Sequence, residues 1–321
     1  MPTQTKYELK LGMATREAFG KGLVELGKRN QDVVALDADL SKSTYTAEFK
    51  KAFPERFIEC GIAEANMLSI AGGLAHVGKI PFAASFAVFA MNKGFEQLRV
   101  SVAYPNTNVK VVGTHAGISI GEDGPSQMSV EDLSLACSLP GFTVLSPADE
   151  VSMKALVFAA AEHKGPVFIR AGRAKAHVVY PADQQFTIGK SVELLSGTDV
   201  TLIATGLLVA ESIRAAEALD SEGISARVID IHTIKPIDRD AIAKAAAETG
   251  AIVVSEEHLK DSGLGVRVAS VVAETNPCVM EFVGLDRYAE SGPPEALLEK
   301  YGLVAKNVVE AAKKALARKK K

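Results

Sequence analysis

Polar and titratable side chains follow several short β-rich segments of the sequence. These residues come after the first, second, fourth and sixth of the segments: Asp37, Asp39, Glu64, His115 and Arg170. In open α/β sheets ligands bind outside the carboxyl ends of the strands, so these side chains are candidates for one common site. Polar loop residues that only cap helices would give a similar pattern. The set therefore indicates a site without identifying its chemistry.

Glu64 carries more information because a helical pattern begins at this residue. Apolar residues follow it at three- and four-residue spacing from Met67 to Leu74, so the carboxylate heads the apolar stripe of the predicted helix. The helix dipole alone would favour a first-turn glutamate, but a capping box would need Ser or Thr where the sequence has Gly61. A buried carboxylate must be paired or protonated, which is how a site obtains an acid that functions near neutral pH.

The segment GTHAGISIGEDGPSQMSVEDL (113–133) predicts a loop of about 15 residues between a strand and a helix. Loops of this length in compact domains usually have a function, and its glycines would allow the backbone to approach a ligand closely. His115, Asp123 and Gln127 supply a titratable ring, an acceptor and an amide. The structural alternative is a surface loop that contains turn residues.

Aromatic residues are concentrated in the segment PFAASFAVFAMNKGFEQLRV of a chain that is otherwise poor in them. Phe86 and Phe89 are three residues apart, so we expect them on one face of a helix. The local pattern favours core packing over a platform for a flat ring.

A G-x-G in the segment DSGLGVRVAS (261–270) follows a predicted strand, as in a dinucleotide-binding loop. It lacks the third glycine at the required offset and a clear acidic partner. The sequence therefore disfavours a dinucleotide site here.

Ten β-rich segments alternate with helical patterns, six of them up to Arg170 and four after residue 198. This alternation predicts parallel strands with crossover helices, and hence an α/β fold with a doubly wound, mainly parallel sheet. The pattern breaks over residues 171–190, which contain glycine and proline without clear periodicity. We expect a first domain at residues 1–172, a linker at 173–190 and a second domain at 191–321.

The composition of the 321 residues is that of a globular protein, with 47% hydrophobic and 23% charged residues. The net charge is −3 and the charges are interspersed, which gives nucleic acid binding little support. The longest apolar stretch, Ile80 to Met91, is shorter than the roughly 20 residues that cross a bilayer, and the N-terminus lacks the apolar core of a signal peptide. Three scattered cysteines provide neither a disulfide framework nor a metal site. We expect a cytoplasmic protein that does not bind a membrane.

Seven segments, taken in order, resemble the transketolase family: MATREAFG, LDADLSKS, GIAEANM, PFAASFAVF, GTHAGISIGEDGPSQM, FIRAGR and HTIKPID. Nearly the whole chain is similar to the C-terminal two thirds of transketolase, and most closely to the vertebrate-type branch. The resemblance implies an α/β domain that binds the pyrimidine ring of thiamine diphosphate, followed by a smaller mixed-sheet α/β C-terminal domain. The predicted break near residues 171–190 falls at that junction.

The same resemblance implies a partner chain. Full-length transketolases begin with a pyrophosphate-binding domain whose G-D-G motif and a later Asn ligate Mg²⁺ and the cofactor diphosphate, and this sequence contains no G-D-G. We therefore expect thiamine diphosphate to bind between this chain and an N-terminal-half subunit that supplies the Mg²⁺ ligands. A split transketolase of this kind would assemble from two copies of each chain.

Individual roles follow from the resemblance position by position. Glu64 corresponds to the glutamate that hydrogen-bonds the 1′ nitrogen of the aminopyrimidine, and Phe86 and Phe89 to aromatic residues around that ring. The residues expected to contact the cofactor are Asp39, Ile62, Glu64, Phe86, Phe89 and Gln127. Asp37 and Arg170 are expected to support the site from behind.

On the substrate side, His115 and Asp123 correspond to residues that hydrogen-bond sugar hydroxyls, and His115 is also expected to take part in catalysis. Arg16, Ser43 and Arg173 correspond to a phosphate-binding set, which implies sugar phosphates as substrates. The sequence departs from the family at two points. Gln127 stands where many microbial and plant transketolases have histidine and vertebrate-type ones have glutamine, and Asn92 replaces an arginine of the vertebrate-type pattern.

Three other functions are compatible with parts of the pattern. The β subunit of a thiamine-dependent 2-oxo-acid dehydrogenase shares both domains, but the phosphate-binding set and the segment GEDGPSQM favour transketolase. A deoxyxylulose-phosphate synthase is usually one uninterrupted chain. A non-catalytic regulatory or interaction subunit would have kept the fold alone, whereas Glu64, His115, Asp123 and Arg173 are all present.

Overall fold

The computed structural model describes residues 7–319 of the chain. The first six residues, on which part of the expectation about a signal peptide depends, lie outside this range. Within it the strands are β1 Lys10–Ala14, β2 Val33–Asp37, β3 Phe57–Glu59, β4 Ile80–Phe86, β5 Lys110–Thr114, β6 Thr143–Leu145, β7 Val167–Arg170, β8 Lys175–Val178, β9 Val192–Leu195, β10 Val200–Ala204, β11 Ala226–Asp230, β12 Thr233–Lys235, β13 Ala251–Leu259 and β14 Val279–Leu285.

The α-helices in the same range are α1 Thr15–Arg29, α2 Ser41–Thr44, α3 Thr46–Ala52, α4 Glu64–His76, α5 Phe95–Gln97, α6 Asp132–Ser138, α7 Glu150–Glu162, α8 Leu208–Asp220, α9 Arg239–Thr249, α10 Leu264–Glu274, α11 Pro294–Lys300 and α12 Ala305–Lys319. Residues 89–93 and 98–103 are π-helical, and residues 54–56 and 118–123 form 3₁₀ turns. None of the helices within residues 7–319 has the length and apolar composition needed to cross a membrane.

The first sheet has seven strands in the order β12-β6-β7-β5-β4-β2-β3. All its neighbouring strands are parallel except β12, which is antiparallel to β6. The carboxyl ends of the parallel strands therefore lie along one edge of the sheet, where the sequence places its polar residues.

Both faces of this sheet are covered by helices. In β4, Phe82 and Ala84 pack in a core with α1, α3 and α7, whereas Ala83 packs in a second core with α4 and α6. Successive side chains of a strand point to opposite faces, so a strand buried on both sides is apolar throughout. This arrangement confirms the predicted doubly wound, mainly parallel sheet.

The second sheet has five strands in the order β14-β13-β10-β11-β9. Its strands are parallel except β9, which is antiparallel to β11. The expected mixed-sheet α/β C-terminal domain is confirmed. The three cysteines, Cys60, Cys137 and Cys278, are free.

All ten predicted strands are present, but four further strands are not evident in the sequence pattern: β1, β8, β9 and β12. The segment expected to be a linker contains β8, which pairs with β1 across the chain. After it, the backbone N–H groups of Val179 and Tyr180 donate to the buried Asp149 carboxylate at 2.9 and 3.1 Å. This part of the segment is thus bonded to the first domain.

Candidate active site

The structure gathers most of the predicted site residues at the carboxyl edge of the first sheet. Asp39 follows β2, Glu64 follows β3, Phe86 ends β4, His115 follows β5 and Arg173 follows β7. Contacts join six side chains into one continuous row, which we call the Glu64–Arg16 row: Glu64, Lys93, Phe89, Phe86, His115 and Arg16.

At one end of the row, Glu64 is the first residue of α4 and is only 3% exposed. Lys93 Nζ lies 3.3 Å from Glu64 Oε2 and 3.5 Å from Oε1, and it is the only charged partner of this carboxylate within residues 7–319. The Lys93 side chain is 52% exposed. The carboxylate is therefore buried, whereas the cation that neutralises it reaches solvent.

Aromatic rings form the middle of the row. The Phe86 and Phe89 rings are nearly parallel, with centroids 5.6 Å apart, and Lys93 Nζ lies 4.6 Å from the Phe89 centroid. On its other side Phe86 stacks on the His115 ring at 3.8 Å. The expectation that both phenylalanines share a helical face is wrong, because Phe86 ends a strand and Phe89 begins a π-helical segment. The turn between these elements brings the rings together instead.

His115 is buried and is held as a neutral ring. Its Nε2 lies 3.0 Å from Arg16 Nη1, and its Nδ1 lies 2.9 Å from Thr114 Oγ1. Because arginine only donates, Nε2 must accept, so Nδ1 carries the hydrogen and donates to Thr114, whose hydroxyl donates to the Ser85 carbonyl at 3.2 Å. Burial, together with the positive charges of Arg16 and Arg173, lowers the pKa of His115 to about 3. The ring is therefore uncharged at neutral pH.

Two arginines lie at the other end of the row. Arg16, in the first turn of α1, donates to the backbone carbonyl of Ser43 at 2.9 Å. Arg173 donates to the Ile120 carbonyl at 2.5 Å and to Glu122 Oε2 at 3.0 Å. Burial and the neighbouring Arg173 lower the pKa of Arg16. Two guanidinium groups that are close enough to affect each other form a suitable site for an anion.

The segment after β2, which carries Asp39 and then Ser43 in the short helix α2, is held by Asp37, which is fully buried. The Asp37 carboxylate accepts hydrogen bonds from Thr44 Oγ1 and Thr46 Oγ1 at 2.7 and 2.8 Å, and burial raises its pKa to about 6. Asp39 itself is exposed, and its backbone N–H donates to Glu59 at 2.8 Å. Asp37 thus has a structural role, while Asp39 faces solvent.

The other predicted residues are less closely connected. The Ile62 side chain is 77% exposed, and Gln127 accepts a hydrogen bond from the Ser126 hydroxyl. Neither is linked to the Glu64–Arg16 row by a hydrogen bond, ion pair or ring contact within the part of the chain that the structure describes. Asp123 is exposed and near enough to Arg16 to raise the pKa of that guanidinium slightly.

Two residues near the site were not assigned a role from the sequence. Lys93 is 29 positions from Glu64, and no local periodicity connects them. Asn92 donates to Glu131 Oε1 at 2.9 Å. Both lie in or next to the π-helical segment after β4, and π-helical turns are frequent at functional sites.

Arg170 is the last residue of β7. It is 7% exposed, and its guanidinium pairs with Asp132 at 2.8 Å and donates to the Glu257 carbonyl at 2.8 Å. Because Glu257 belongs to β13, this arginine connects the first sheet to the C-terminal domain.

The glycines of the segment 113–133 do not create space for a ligand, which corrects the interpretation made from the sequence. A Cβ at each of three positions would lie within 3 Å of the C-terminal domain: Gly117 at 2.1 Å from Glu257, Gly121 at 2.9 Å from Pro294 and Gly124 at 2.2 Å from Ser291. All three have positive φ angles. These glycines therefore permit the close approach of another part of the same chain.

The structure also explains the isolated G-x-G. The Glu256 carboxylate accepts the backbone N–H groups of Leu264 and Gly265 at 2.7 and 2.8 Å, at the start of α10. This helix N-terminus is thus occupied by an internal carboxylate instead of a phosphate. Within residues 7–319 no three His, Cys, Asp or Glu side chains are grouped so that they could hold a metal ion.

Comparison with known families assigns both parts of the chain. The transketolase pyrimidine binding domain matches residues 12–182, and the transketolase C-terminal domain matches residues 189–308. The chain belongs to the transketolase family. It corresponds to the C-terminal section of transketolases, as the ordered motifs predict.

Transketolase relatives of similar length cover nearly the whole chain. A protein of Methanocaldococcus jannaschii named as a transketolase C-terminal section is 43% identical over 93% of this chain and 96% of its own length. The 6-deoxy-6-sulfo-D-fructose transketolase subunit SqwH of a Clostridium species is 41% identical over 95% of each chain. A solved structure, described as a split gene transketolase and an inactive β4 tetramer, has 49% identity, a TM-score of 0.90 and coverage of 96% of this chain and 100% of its own.

Full-length mammalian transketolases match over 49–51% of their length. The chain therefore spans about half of such a transketolase, and not two thirds as the motif comparison predicts.

Proposed function

We propose that this chain is one subunit of a split transketolase that uses thiamine diphosphate to transfer a two-carbon ketol unit from a ketose phosphate to an aldose phosphate. The observation that carries the proposal is the Glu64–Arg16 row. It combines a buried carboxylate, flat aromatic faces, a neutral histidine and Arg16 along one sheet edge, and Arg173 lies near enough to affect the pKa of Arg16. These are the groups that a flat heterocycle and a phosphorylated sugar would need next to each other.

The residues near Glu64 fit the pyrimidine ring of thiamine diphosphate. Among residues 7–319, the buried carboxylate has only the half-exposed Lys93 as its charged partner, so a ring nitrogen can take a position beside it without leaving a second buried charge. Phe89 is partly exposed, and the exposed Ile62 side chain can cover an apolar ring face. When bound, thiamine diphosphate supplies the electron sink for cleavage of a carbon–carbon bond.

The chain's own residues then have distinct tasks. Glu64 hydrogen-bonds the nitrogen of the pyrimidine ring, and Phe86 and Phe89 orient that ring. Asp39 and Gln127 contact the cofactor. His115 is kept neutral by its surroundings, and its Nε2 now accepts from Arg16. When Arg16 turns to the substrate anion, the same nitrogen can accept a hydrogen bond or a proton from a sugar hydroxyl. Because its Nδ1–H is fixed by Thr114, the accepting nitrogen is fixed as well.

The arginine end of the row defines the substrate class. Arg16 and Arg173, with the backbone of Ser43, would bind the terminal anion of the sugar, and the exposed Asp123 would bind a hydroxyl. A phosphate and a sulfonate both have several oxygens that can accept hydrogen bonds from the guanidinium groups of Arg16 and Arg173. Because SqwH is named for a sulfo-sugar, a sulfonated ketose is the second substrate to test.

Exposed apolar side chains around α4, the helix that begins with Glu64, support a partner subunit on this face. Ile62 precedes α4 and Val77 follows it, and both are at least 75% exposed. Val100, in the π-helical segment 98–103 that packs against α4, is 45% exposed, and Tyr104, directly after this segment, is 90% exposed. We propose that an N-terminal-half subunit covers this face and supplies the Mg²⁺ ligands, and that two copies of each chain assemble. We further propose that the assembly works in the cytoplasm.

Reconstitution tests this function. The purified chain is assayed with and without a transketolase N-terminal half, thiamine diphosphate and Mg²⁺, using xylulose 5-phosphate as donor and ribose 5-phosphate as acceptor. We expect turnover only in the complete mixture. Turnover that is unchanged when this chain is omitted would refute a catalytic role, and activity on a 2-oxo acid alone would favour the dehydrogenase alternative.

A further inference from the structure

The loop between β5 and α6 (residues 115–131), which we call the glycine-rich loop, is held by the end of one strand of the C-terminal domain. At one end of the loop, the Ser119 N–H donates to Glu257 Oε1 at 2.6 Å. At the other end, the Leu259 N–H donates to the Val130 carbonyl at 3.0 Å. Glu257 and Leu259 both belong to β13, so one strand end fixes both ends of the loop.

The contact at Glu257 is tight and buried. Glu257 is 3% exposed, and its carboxylate fills the space where a side chain at position 117 would lie. Its backbone carbonyl accepts a hydrogen bond from Arg170 at 2.8 Å, so the residue is held to the first sheet as well. A carboxylate that is fixed in this way can act as a rigid support for the loop.

The residue next to Ser119 connects this support to the anion site. The Ile120 carbonyl accepts the 2.5 Å hydrogen bond from Arg173 Nη1. Only one peptide unit therefore separates the N–H that Glu257 holds from the carbonyl that holds the guanidinium. A movement of Ser119 would move Ile120, and with it the acceptor that orients Arg173.

We infer that Glu257 is a positioning residue that sets the orientation of Arg173 through Ser119 and Ile120, and so determines how well the site binds the anionic end of its substrate. The inference rests on the proposed function, in which Arg173 binds that anion. It gives the C-terminal domain a specific part in substrate recognition, although none of the proposed substrate-binding residues belongs to that domain.

The neighbouring residue provides a matched control. Glu256 is also buried, at 1% exposure, but its carboxylate bonds stay within the C-terminal domain, at Leu264 and Gly265. Shortening either glutamate to aspartate keeps a buried charge and withdraws the carboxylate from its N–H partners. Only Glu257→Asp withdraws the acceptor from the Ser119 N–H of the glycine-rich loop, whereas Glu257→Gln keeps an acceptor oxygen at the original length.

The experiment uses the reconstituted two-chain enzyme and two donors, xylulose 5-phosphate and the unphosphorylated ketose erythrulose. For Glu257→Asp we expect the KM for the phosphorylated donor to rise about tenfold, the size of effect expected for one hydrogen bond to a charged group. The kcat and the KM for erythrulose should stay within about twofold, because the anchor is remote from the reacting carbons. Glu257→Gln should restore most of the wild-type KM, and Glu256→Asp should show no such difference between the donors.

Hydrogen exchange provides a second readout that does not need turnover. In Glu257→Asp, the peptide containing Ser119 should exchange at least about tenfold faster than in the wild type and in Glu256→Asp. Wild-type KM values in an active Glu257→Asp enzyme, or equal KM changes for both donors, would overturn the inference alone. A wild-type assembly that turns over neither donor would overturn the proposed function and the inference with it. If Glu257→Asp does not fold, hydrogen exchange is measured in the milder Glu257→Gln variant. An unchanged exchange rate at Ser119 supports the contact between the Ser119 N–H and the side chain at position 257. Exchange as fast as in the unfolded chain overturns the inference.

Discussion

Replacing Glu64 with glutamine separates a catalytic role of this carboxylate from a structural one. At the 3.3 Å distance between Lys93 Nζ and Glu64 Oε2, the Coulomb attraction is about 5 kcal/mol for an effective dielectric constant of about 20. Desolvation of the buried carboxylate offsets most of this energy. In Glu64→Gln the charge that remains is Lys93, which is 52% exposed and can be solvated. We therefore expect the free energy of unfolding to change by about 1 kcal/mol or less.

The expected effect on turnover is much larger. Loss of an acid–base group normally lowers the rate by about 10²- to 10⁴-fold, which corresponds to about 3–5 kcal/mol in the activation free energy. The assay combines the initial rate of the reconstituted enzyme at saturating thiamine diphosphate with the thermal unfolding midpoint of the same preparation. We expect a large loss of kcat with a change of only a few degrees in Tm.

Asp32→Asn is the matched control for this experiment. Asp32 forms a similar ion pair with Lys79, at 3.0 Å, but the pair is exposed and lies at the amino ends of β2 and β4. This variant should keep both kcat and Tm. If Glu64→Gln retains more than about a tenth of the wild-type kcat, the role proposed for Glu64 is refuted, because that loss is less than about 1.4 kcal/mol.

Three further predictions concern the rest of the site. Arg173→Ala should raise the KM for phosphorylated sugars in steady-state assays and leave unphosphorylated donors nearly unaffected; equal effects on both would contradict an anion-binding role. Folding lowers the pKa of His115 from 6.5 to about 3, so in this pH range the unfolded chain binds a proton that the folded ring does not. The free energy of unfolding therefore decreases as the pH falls through this range, by up to about 1.4 kcal/mol per pH unit. Denaturant titrations at pH 7 and pH 4.5 measure this decrease, which should be smaller in His115→Asn than in the wild type. Equal decreases in both proteins would count against a buried, neutral His115. Gly117 has a φ of +83°, and a Cβ added there would lie 2.1 Å from the Glu257 carboxylate, so Gly117→Ala should lose more than about 1 kcal/mol of stability. A Cβ added at Gly73 in α4 would meet no atom within 4 Å apart from its chain neighbours and the helix backbone, so Gly73→Ala should be neutral or stabilising. Similar values for both variants would argue against the loop packing.

The sequence predicts the central strands of both sheets because those strands are continuously apolar or β-branched. The strand Ile80–Phe86 is buried along its whole length because helices cover both faces of the sheet. A strand in this position needs apolar residues at every position, and this gives a clear signal in the sequence. β12, with three residues, and β1, which pairs with β8 about 165 positions away along the chain, carry no comparable local signal. Their positions depend on tertiary pairing that short-range patterns do not encode.

The candidate site is predictable only in part, for the same reason. The motifs identify Glu64, His115 and Arg173, because each follows a predicted strand. The partner of Glu64 is 29 positions away, and the support for Ser119 is 138 positions away in the other domain. The sequence predicts that the loop glycines serve a ligand, because it does not distinguish the approach of a ligand from the approach of the chain itself.

The central claim is that Glu64 binds the pyrimidine ring of thiamine diphosphate at an interface with a second subunit. The most direct test is a crystal or cryo-EM structure of the reconstituted complex with thiamine diphosphate and Mg²⁺. We predict a Glu64 carboxylate oxygen within hydrogen-bond distance of the ring nitrogen, the ring beside Phe86 and Phe89, and the metal held by the other subunit. A ring bound elsewhere, with Glu64 still paired only to Lys93 or exposed to solvent, would contradict the claim.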